Sequence, residues 1–313
     1  MNVFLHLNPG ARRMLCLVSA MIVGSAIPVI WGAAGTFLHD HGSSIMPPMI
    51  MCMLLFAFID VHFNRESVGW SHVRIPCAMV AVAVVSCFLI RKFTGNSDFA
   101  AMAFLIGMTP TANAAPVITG LLGRREDYAT VSVVSTNLFV AFALAPIAAL
   151  VLGSEIEFST AELAAKTMLL VGVPFVVATI LRNFAVPAAN FVRRLKFLSF
   201  YLWMTMLGTI CAQSSNYICT HPEIPVSTLA EVFLLAAVMC ALNFALGYFL
   251  GEKRFRRECS QSLGQKNTML MLWVAVAFFN PLVALGPTFY VVCHNLWNSW
   301  QLRLTDKHET TIR

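Results

Sequence analysis

Charged side chains are scarce in this sequence. Only 12% of its 313 residues are Asp, Glu, Lys or Arg, whereas 58% are hydrophobic and the mean hydropathy is +0.74. Soluble domains carry about 25% charged residues, so this chain has too little charge to cover a water-facing surface of its size. The shortage excludes an ordinary soluble globular protein and indicates that most of the surface faces lipid.

Sequence patterns typical of catalytic and metal sites are also missing. There is no G-x-S-x-G, H-E-x-x-H or phosphate-binding loop, and the nine cysteines form no C-x-x-C pair. We therefore predict no catalytic residue, no metal site and no cofactor. The net charge of +6 follows the membrane topology described below, so we predict no nucleic-acid partner.

Long apolar runs are the main positive feature of the chain. A helix that spans a bilayer needs about 20 mostly apolar residues, and only helices and closed barrels satisfy their backbone groups inside lipid. The runs here are continuous rather than alternating, which favours helices. Ten spans are predicted, at about 14–36, 44–63, 75–95, 99–122, 128–153, 163–185, 197–215, 228–250, 257–279 and 282–301. They fill nearly the whole chain, so residues 1–313 are predicted to form a single polytopic membrane domain.

The basic residues orient these spans. If the N-terminus is placed in the cytoplasm, seventeen of the 21 Lys and Arg residues fall in cytoplasmic segments. The outer loops then hold only Arg91 and Lys92, while Lys166 and Lys266 fall inside predicted spans. Cytoplasmic loops of membrane proteins carry an excess of Lys and Arg. We therefore expect a multi-pass protein of the cell (inner) membrane with both termini in the cytoplasm.

Two of the predicted spans are interrupted. In span four, Pro110 and Pro116 bracket a polar segment that contains Asn113, and proline disrupts a helix by removing a backbone donor. In span nine, mostly polar or small residues at 258–268 precede an apolar half-helix. Simpler interpretations are a proline-kinked packing helix in the first case and a cytoplasmic loop entering a short span in the second.

The two interruptions lie five spans apart in a ten-span chain. Corresponding breaks in two halves are typical of inverted repeats in transporters. We therefore predict an all-α membrane protein with ten transmembrane helices in a five-plus-five inverted repeat, with repeats at about 14–153 and 163–301. The unwound parts of helices 4 and 9 should cross, and the positive ends of their half-helices would suit a carboxylate or sulfonate.

Lys266 is the most unusual polar residue. In a helix it would lie about 13 Å beyond Arg257, and a charge at such depth marks a functional site by default. The alternative is that span nine begins later and Lys266 lies near the interface. A second polar cluster, His294, Asn295, Asn298 and Gln301, lies in span ten, where it either lines a site or forms a polar seam against a neighbouring helix.

These segments together resemble the bile acid:sodium symporter family. MPPMIMCMLLFAFIDV is similar to the family's second span, and TPTANAAPVITGLL followed by VSVVSTN is similar to its fourth and fifth. SLGQKNTMLMLWVAVAFF followed by CHNLWNS is similar to the ninth and tenth, which usually read E-x-G-x-Q-N and then H-N. The resemblance implies ten helices divided into a panel domain and a core domain, with two unwound helices that cross.

The resemblance extends to part of the site only. Gly264, Asn267, His294 and Asn295 match the family pattern, and the resemblance implies that the last three lie along the substrate path. The family's sodium ligands largely do not match. Its glutamate and glutamine of the ninth span fall on Ser262 and Lys266, and its Ser-Asn pair of the fourth span falls on Ala115 and Pro116. The third span lacks the usual glutamine.

We hypothesise that Lys266 occupies the place of a bound sodium ion, in which case transport is not driven by sodium. A lysine removed from water can lose its proton, so proton coupling through Lys266 and simple exchange both stay open. In another interpretation Lys266 pairs directly with an anionic substrate.

The predicted function is secondary transport of a small organic anion across the lipid bilayer by alternating access. The predicted substrate-binding residues are Asn113, Gln265, Lys266, Asn267, Thr268, His294 and Asn295, and the predicted helix-breaking residues are Pro110, Pro116 and Gly264. Three alternatives stay open: a sodium-dependent organic-anion symporter, a related efflux carrier for arsenite or auxin-like acids, and a membrane solute sensor that does not transport. The absence of catalytic motifs disfavours an intramembrane enzyme.

Overall fold

The computed structural model describes residues 9–61, 65–153, 159–225 and 227–312, which are almost entirely helical. The helices of these ranges are α1 (Pro9–Ile30), α2 (Gly32–Phe58), α3 (Ser71–Thr94), α4 (Ser97–Met108), α5 (Ala115–Leu121), α6 (Glu126–Leu152), α7 (Thr160–Phe184), α8 (Val186–Arg194), α9 (Leu198–Thr220), α10 (Ser227–Leu250), α11 (Arg256–Gly264), α12 (Thr268–Phe278) and α13 (Leu285–Ile312). Extended pairing within the described ranges is limited to one isolated antiparallel bridge, between Thr111 and Lys266.

Several helices are suited to cross a membrane. By length and apolar composition, α3, α6, α7, α10 and the continuous stretch from α8 through α9 could each span a bilayer. A sixth span is added if residues 18–30 and 32–42, which are bent by 116° from one another, count as one. Residues 44–58 of α2, together with α4 and α12, are shorter apolar helices. The chain is therefore an all-helical multi-pass membrane protein.

The predicted boundary between the first two spans is wrong. The loop expected at about 37–43 is helical, and the chain turns instead at Trp31, between α1 and α2. Just after this turn, Gly35 of α2 packs against Pro28 of α1. A Cβ on Gly35 would lie only 2.9 Å from the Pro28 Cβ, so this close approach of the two helices requires a residue without a side chain.

Both predicted interruptions are present. The chain leaves the helical conformation between α4 and α5 and again between α11 and α12. Residues 256–264, which could have formed a loop, are the helix α11. Pro110 lies in the first break, whereas Pro116 lies in the first turn of α5, where the missing N–H has no helical acceptor to lose. The expectation that both prolines hold the break open therefore needs correction, because Pro116 starts the second half-helix.

Each half-helix that precedes a break is packed closely against a full-length helix. A Cβ on Gly107 of α4 would lie 2.4 Å from the Ala83 Cα of α3, and a Cβ on Gly247 of α10 would lie 2.7 Å from the Ser260 Cα of α11. No side chain fits at such separations. Glycine therefore allows the close approach of α4 to α3 and, later in the chain, of α11 to α10.

The helices form two groups. The first helix group consists of α1, α2, α7 and α9, in which α1 runs along α9 and α2 contacts both α7 and α9. The second helix group consists of α3, α4, α5, α6, α10, α11, α12 and α13, and it contains both broken helices. The groups meet where α6 packs on α7 and where α12 packs on α2. This arrangement places the breaks inside one group and close to its boundary with the other.

Candidate functional site

The two unwound segments cross and pair with each other. The Ala112 N–H donates to the Gln265 carbonyl at 2.8 Å, and the Asn267 N–H donates to the Pro110 carbonyl at 2.7 Å. An unpaired backbone group inside a bilayer costs several kcal/mol. Each segment therefore supplies hydrogen bonds that the other lost when its helix unwound, and the predicted crossing of the two helices is present in the structure.

Lys266 lies at the centre of the crossing and is 2% exposed. Its Nζ donates to the carbonyls of Gly107 at 3.2 Å and Thr109 at 3.0 Å. These carbonyls belong to the C-terminal end of α4, where helical acceptors lack partners and the helix dipole is negative. Among the described carboxylates, none forms an ion pair with Lys266. The ammonium group thus closes the end of α4.

Neutral hydroxyls close the corresponding end of α11. The Thr111 Oγ1 donates to the Ser262 carbonyl at 2.7 Å, and the Tyr290 hydroxyl donates to the Gly264 carbonyl at 2.8 Å. Thr111 is the residue that pairs with Lys266 in the isolated bridge. Lys266 and Thr111 therefore have corresponding roles, since each donates from its side chain to the end of the other broken helix. Lys266 donates from an ammonium group, whereas Thr111 donates from a hydroxyl.

Helix α6 contributes two residues that sequence reasoning did not include in the site. The Thr111 N–H donates to the Thr136 hydroxyl at 2.9 Å, and the Asn137 Nδ2 donates to the Thr111 carbonyl at 3.3 Å. The Asn267 Nδ2 in turn donates to the Asn137 Oδ1 at 3.2 Å. Asn137 thereby ties both unwound segments to α6. The run of three polar residues at 135–137, in the middle of a helix that is apolar from there onward, is the signal that could have identified them.

The remaining predicted residues of span nine are buried. Gln265 is 2% exposed and donates a side-chain hydrogen bond to Gln261 of its own helix. Thr268 is 3% exposed and is the first residue of α12. Gly264 ends α11, and a Cβ there would lie 2.3 Å from the Phe244 ring. Their side chains lie within the packed crossing.

Asn113 is the part of the crossing that contacts the first helix group. Its Nδ2 lies 3.5 Å from the Met53 carbonyl of α2, at the outer limit of a hydrogen bond. Its Oδ1 is buried and has no hydrogen-bond partner. A buried acceptor without a donor costs free energy, so this oxygen offers a place for a donor from a ligand or from water.

The polar residues of α13 differ in their hydrogen bonding. His294 is 5% exposed, its Nδ1 has no partner, and its ring packs edge-on against Tyr290 with a centroid distance of 5.7 Å. Tyr290 connects it to the end of α11. Asn298, one turn further on, also has a buried oxygen without a partner. The Asn295 side chain instead donates to the Val291 carbonyl of its own helix at 2.8 Å.

A cavity of about 460 Å³ lies between the two helix groups. Ser44, Pro47 and Met51 of α2, Lys166 of α7 and Trp273 of α12 are among the residues that line it. Its volume falls in the range of small-molecule sites, which is about 300–1,000 Å³. The substrate-binding residues predicted from the sequence are not among its lining residues, and no sequence pattern indicated this cavity.

The described residues include no group of three or more His, Cys, Asp and Glu side chains that could hold a metal ion. The polar groups at the crossing are instead hydroxyls, amides, backbone carbonyls and one ammonium.

The fold defines the class of the protein as an all-helical multi-pass membrane protein with two broken helices that cross. The sequence matches the Sodium Bile acid symporter family over residues 44–221, which is more than half of the chain. The protein therefore belongs to this family of membrane transporters. The match includes the first broken helix, α4 and α5, and ends before the second. No curated protein matches the chain.

Proposed function

We propose that the protein is a secondary transporter that carries a small organic anion by alternating access and is not driven by sodium. The observation that carries the proposal is the pair of hydrogen bonds from the Lys266 Nζ to the Gly107 and Thr109 carbonyls. A bound cation would use such oxygens as ligands. Because an ammonium already holds these two oxygens, it would repel a second cation from them.

Matching hydrogen bonds support the ten-helix inverted repeat. The displacement along the chain that relates Thr111 to Lys266 also relates Gly107 to Ser262, so the bond from Thr111 to the Ser262 carbonyl corresponds to the bond from Lys266 to the Gly107 carbonyl. The two backbone bonds of the crossing correspond in the same way. At the level of helices, the packing of α3 on α4 corresponds to that of α10 on α11, and that of α4 on α13 corresponds to that of α6 on α11.

The two helix groups support alternating access. The first helix group would act as the panel domain and the second as the core domain, since both broken helices belong to the second. The cavity between α2, α7 and α12 would be the route on one side of the crossing, and the contact of Asn113 with Met53 would close the boundary near the crossing. Relative movement of the groups would open one route while it closes the other.

The substrate-binding residues predicted from the sequence stay in the proposal, on the condition that the buried ones become accessible. Gln265, Lys266, Asn267 and Thr268 are all at least nine-tenths buried, so substrate would reach their side chains only after the crossing is uncovered. Asn113 is partly exposed and has a buried oxygen without a partner, so it is the stronger candidate for contact in the present conformation. The His294 Nδ1 also has no partner, but His294 is 5% exposed and meets the same condition as the four residues of span nine. Asn295 would have to give up its bond to Val291.

The membrane topology is part of the same proposal. The bias of the basic residues supports a single membrane domain in the cell (inner) membrane with both termini in the cytoplasm. Protons are the coupling ion that we would examine first, because Lys266 is a titratable group at the crossing.

The family match supports a second candidate function, a sodium-dependent organic-anion symporter. Sodium would then have to bind through ligands other than the carbonyls that Lys266 occupies. The efflux and sensor alternatives have no comparable support among the described contacts.

Transport by the purified full-length chain in liposomes separates the two candidates. We would measure uptake and counterflow of a series of labelled aliphatic and aromatic carboxylates and sulfonates, in sodium and in choline medium, at several pH values. The proposal predicts uptake in choline at the same rate as in sodium. Uptake that requires a sodium gradient would overturn it, and no uptake of any anion of the series would remove both candidates.

A further inference from the structure

We propose that Lys166 is the residue that recognises the charged group of the transported anion, in the cavity between α2, α7 and α12. This inference rests on the proposed function and deepens it, since it assigns the selectivity for anions to a lysine of the first helix group. It also changes the role of Lys266, which the sequence alone had suggested as the positive charge of the site.

Lys266 is poorly placed to bind an anion in the present structure. It is 2% exposed, and two of its N–H groups are directed at the carbonyls of α4. An anion that approached Lys266 would also meet the negative end of the α4 dipole. The charge of Lys266 is therefore already used within the protein.

Lys166, by contrast, is half exposed and is the only charged residue among the described residues that line the cavity. Its Nζ lies 2.6 Å from the Glu162 Oε1, one turn earlier on the same helix, and 5.3 Å from the centre of the Phe278 ring at the end of α12. Exposed ion pairs of this kind are weak, so a substrate carboxylate could replace Glu162 as the partner of the ammonium. Glu162 would then be the counter-ion of Lys166 whenever no substrate is bound.

The walls of the cavity indicate the rest of the substrate. Pro47, Met51 and Trp273 provide apolar and aromatic surface, and Ser44 also lines the cavity. An ammonium at one edge of an apolar pocket suits a compact monoanion, that is, a carboxylate or sulfonate on a hydrophobic body. Because Lys166 belongs to the first helix group and contacts Phe278 of the second, an anion bound there would contact both groups.

The test compares an acid with its uncharged amide in the full-length protein. Benzoate and benzamide serve as the first pair, and butyrate and butyramide as the second. Binding is measured in detergent by calorimetry, and uptake of the labelled acids is measured in liposomes. The variants are Lys166→Met, which keeps the apolar stem against Phe278, Lys166→Arg, which keeps the charge, and Glu162→Gln, which removes the competing carboxylate.

The matched control is Lys92→Met. Lys92 also lies over a phenylalanine ring, with its Nζ 5.8 Å from the centre of Phe93, but it is not among the residues that line the cavity. Loss of positive charge in general would affect both lysine variants, whereas loss of the proposed contact would affect only Lys166→Met.

We expect the wild type to prefer each acid over its amide, and Lys166→Met to lose about fivefold to tenfold in affinity for the acid with no change for the amide. Lys166→Arg and Lys92→Met should keep the preference, and Glu162→Gln should bind the acid more tightly. If the wild type transports anions and Lys166→Met keeps the preference, this inference is wrong while the proposed function stands. If the wild type neither binds nor transports any acid of the panel, both fail.

Discussion

At the crossing, the end of α4 is closed by the ammonium of Lys266, whereas the end of α11 is closed by the hydroxyls of Thr111 and Tyr290. The backbone geometry on the two sides is the same, with one N–H donated in each direction between the unwound segments. A neutral hydroxyl is thus sufficient to satisfy the end of a broken helix in this fold. The closure of a helix end therefore does not by itself require the charge of Lys266.

The charged group of the crossing therefore lies at the end of α4, and the end of α11 has only neutral groups. The two backbone bonds between the unwound segments use only main-chain groups and do not involve the Lys266 side chain. The proposed sodium-independent mechanism requires the positive charge at this position to take the place of an exchangeable cation. The predictions below therefore disturb one side of the crossing at a time.

Replacement of Lys266 should have the largest effect. Lys266→Met leaves the Gly107 and Thr109 carbonyls without a donor, and we expect a loss of about 3 kcal/mol in the free energy of unfolding together with loss of transport. The measurement is the thermal midpoint of the purified protein in detergent. Lys266→Gln is the companion variant, since an amide leaves room for a cation beside the same carbonyls. Its midpoint should rise with sodium, while that of the wild type should not; sodium-dependent stability of the wild type would contradict the role of Lys266.

Two glycine substitutions test how rigid the packing is around the end of α4 and around the end of α11. Gly107→Ala places a Cβ 2.4 Å from the backbone of Ala83, which has no room to move, and should cost about 2–3 kcal/mol. Gly264→Ala places it against the Phe244 ring, which can shift, and should cost about 1–2 kcal/mol. The thermal midpoints measure both.

A second substitution and a control sharpen this pair. Phe244→Leu should restore part of the stability of Gly264→Ala and none of that of Gly107→Ala. Gly172→Ala is the control, because a Cβ at this position of α7 meets no atom within 4 Å, and alanine should stabilise the helix by up to about 1 kcal/mol. An equal loss for Gly107→Ala and Gly264→Ala would show that the two sides do not differ in rigidity.

Removal of the Thr111 hydroxyl at the end of α11 should reduce stability less than removal of the Lys266 ammonium at the end of α4. Thr111→Val deletes the hydroxyl that donates to the Ser262 carbonyl, and we expect a loss of about 1 kcal/mol. Thr167→Val is the matched control, because the buried Thr167 hydroxyl donates within its own helix to the Leu163 carbonyl. A denaturation midpoint that falls as far for Thr111→Val as for Lys266→Met would remove the distinction between the two caps.

The smallest change in stability is expected at Asn113. Asn113 follows Thr111 by two positions, just as Thr268 follows Lys266, but Asn113 reaches the first helix group whereas Thr268 is buried. Asn113→Ala should change the free energy of unfolding by less than about 0.5 kcal/mol and should raise the KM for the transported anion. Initial uptake rates measure the KM. An unchanged KM would exclude Asn113 from the substrate path.

Much of the fold could be predicted because membrane helices obey local rules. Long apolar runs must be helical inside lipid, so the helices at 71–94, 126–152, 160–184 and 227–250 follow from hydropathy. The breaks near Pro110 and Gly264 could also be located, since proline, glycine and polar residues interrupt apolar runs there. The turn at Trp31 could not, because it depends on the close approach of Gly35 to Pro28 rather than on polarity.

The site could be predicted only in part for the same reason. Lys266 was visible as a charge inside an apolar span, but the sequence could not indicate which oxygens its ammonium would contact. Asn137 belongs to a polar run that is visible in the sequence of α6, but the sequence could not indicate that it bonds to both unwound segments. Lys166 looked like an ordinary charge near the end of a span.

The sequence by itself determined that this protein is helical, that it lies in a membrane, and that two of its helices are broken. These properties depend on the free energy of placing each residue in lipid, which is nearly independent of distant residues. The tertiary structure alone decided which backbone groups pair where the breaks cross, that Lys266 closes α4, and that Lys166 borders a cavity. Those outcomes depend on which carbonyls, hydroxyls and rings meet across the chain, and such contacts arise only when separate helices pack.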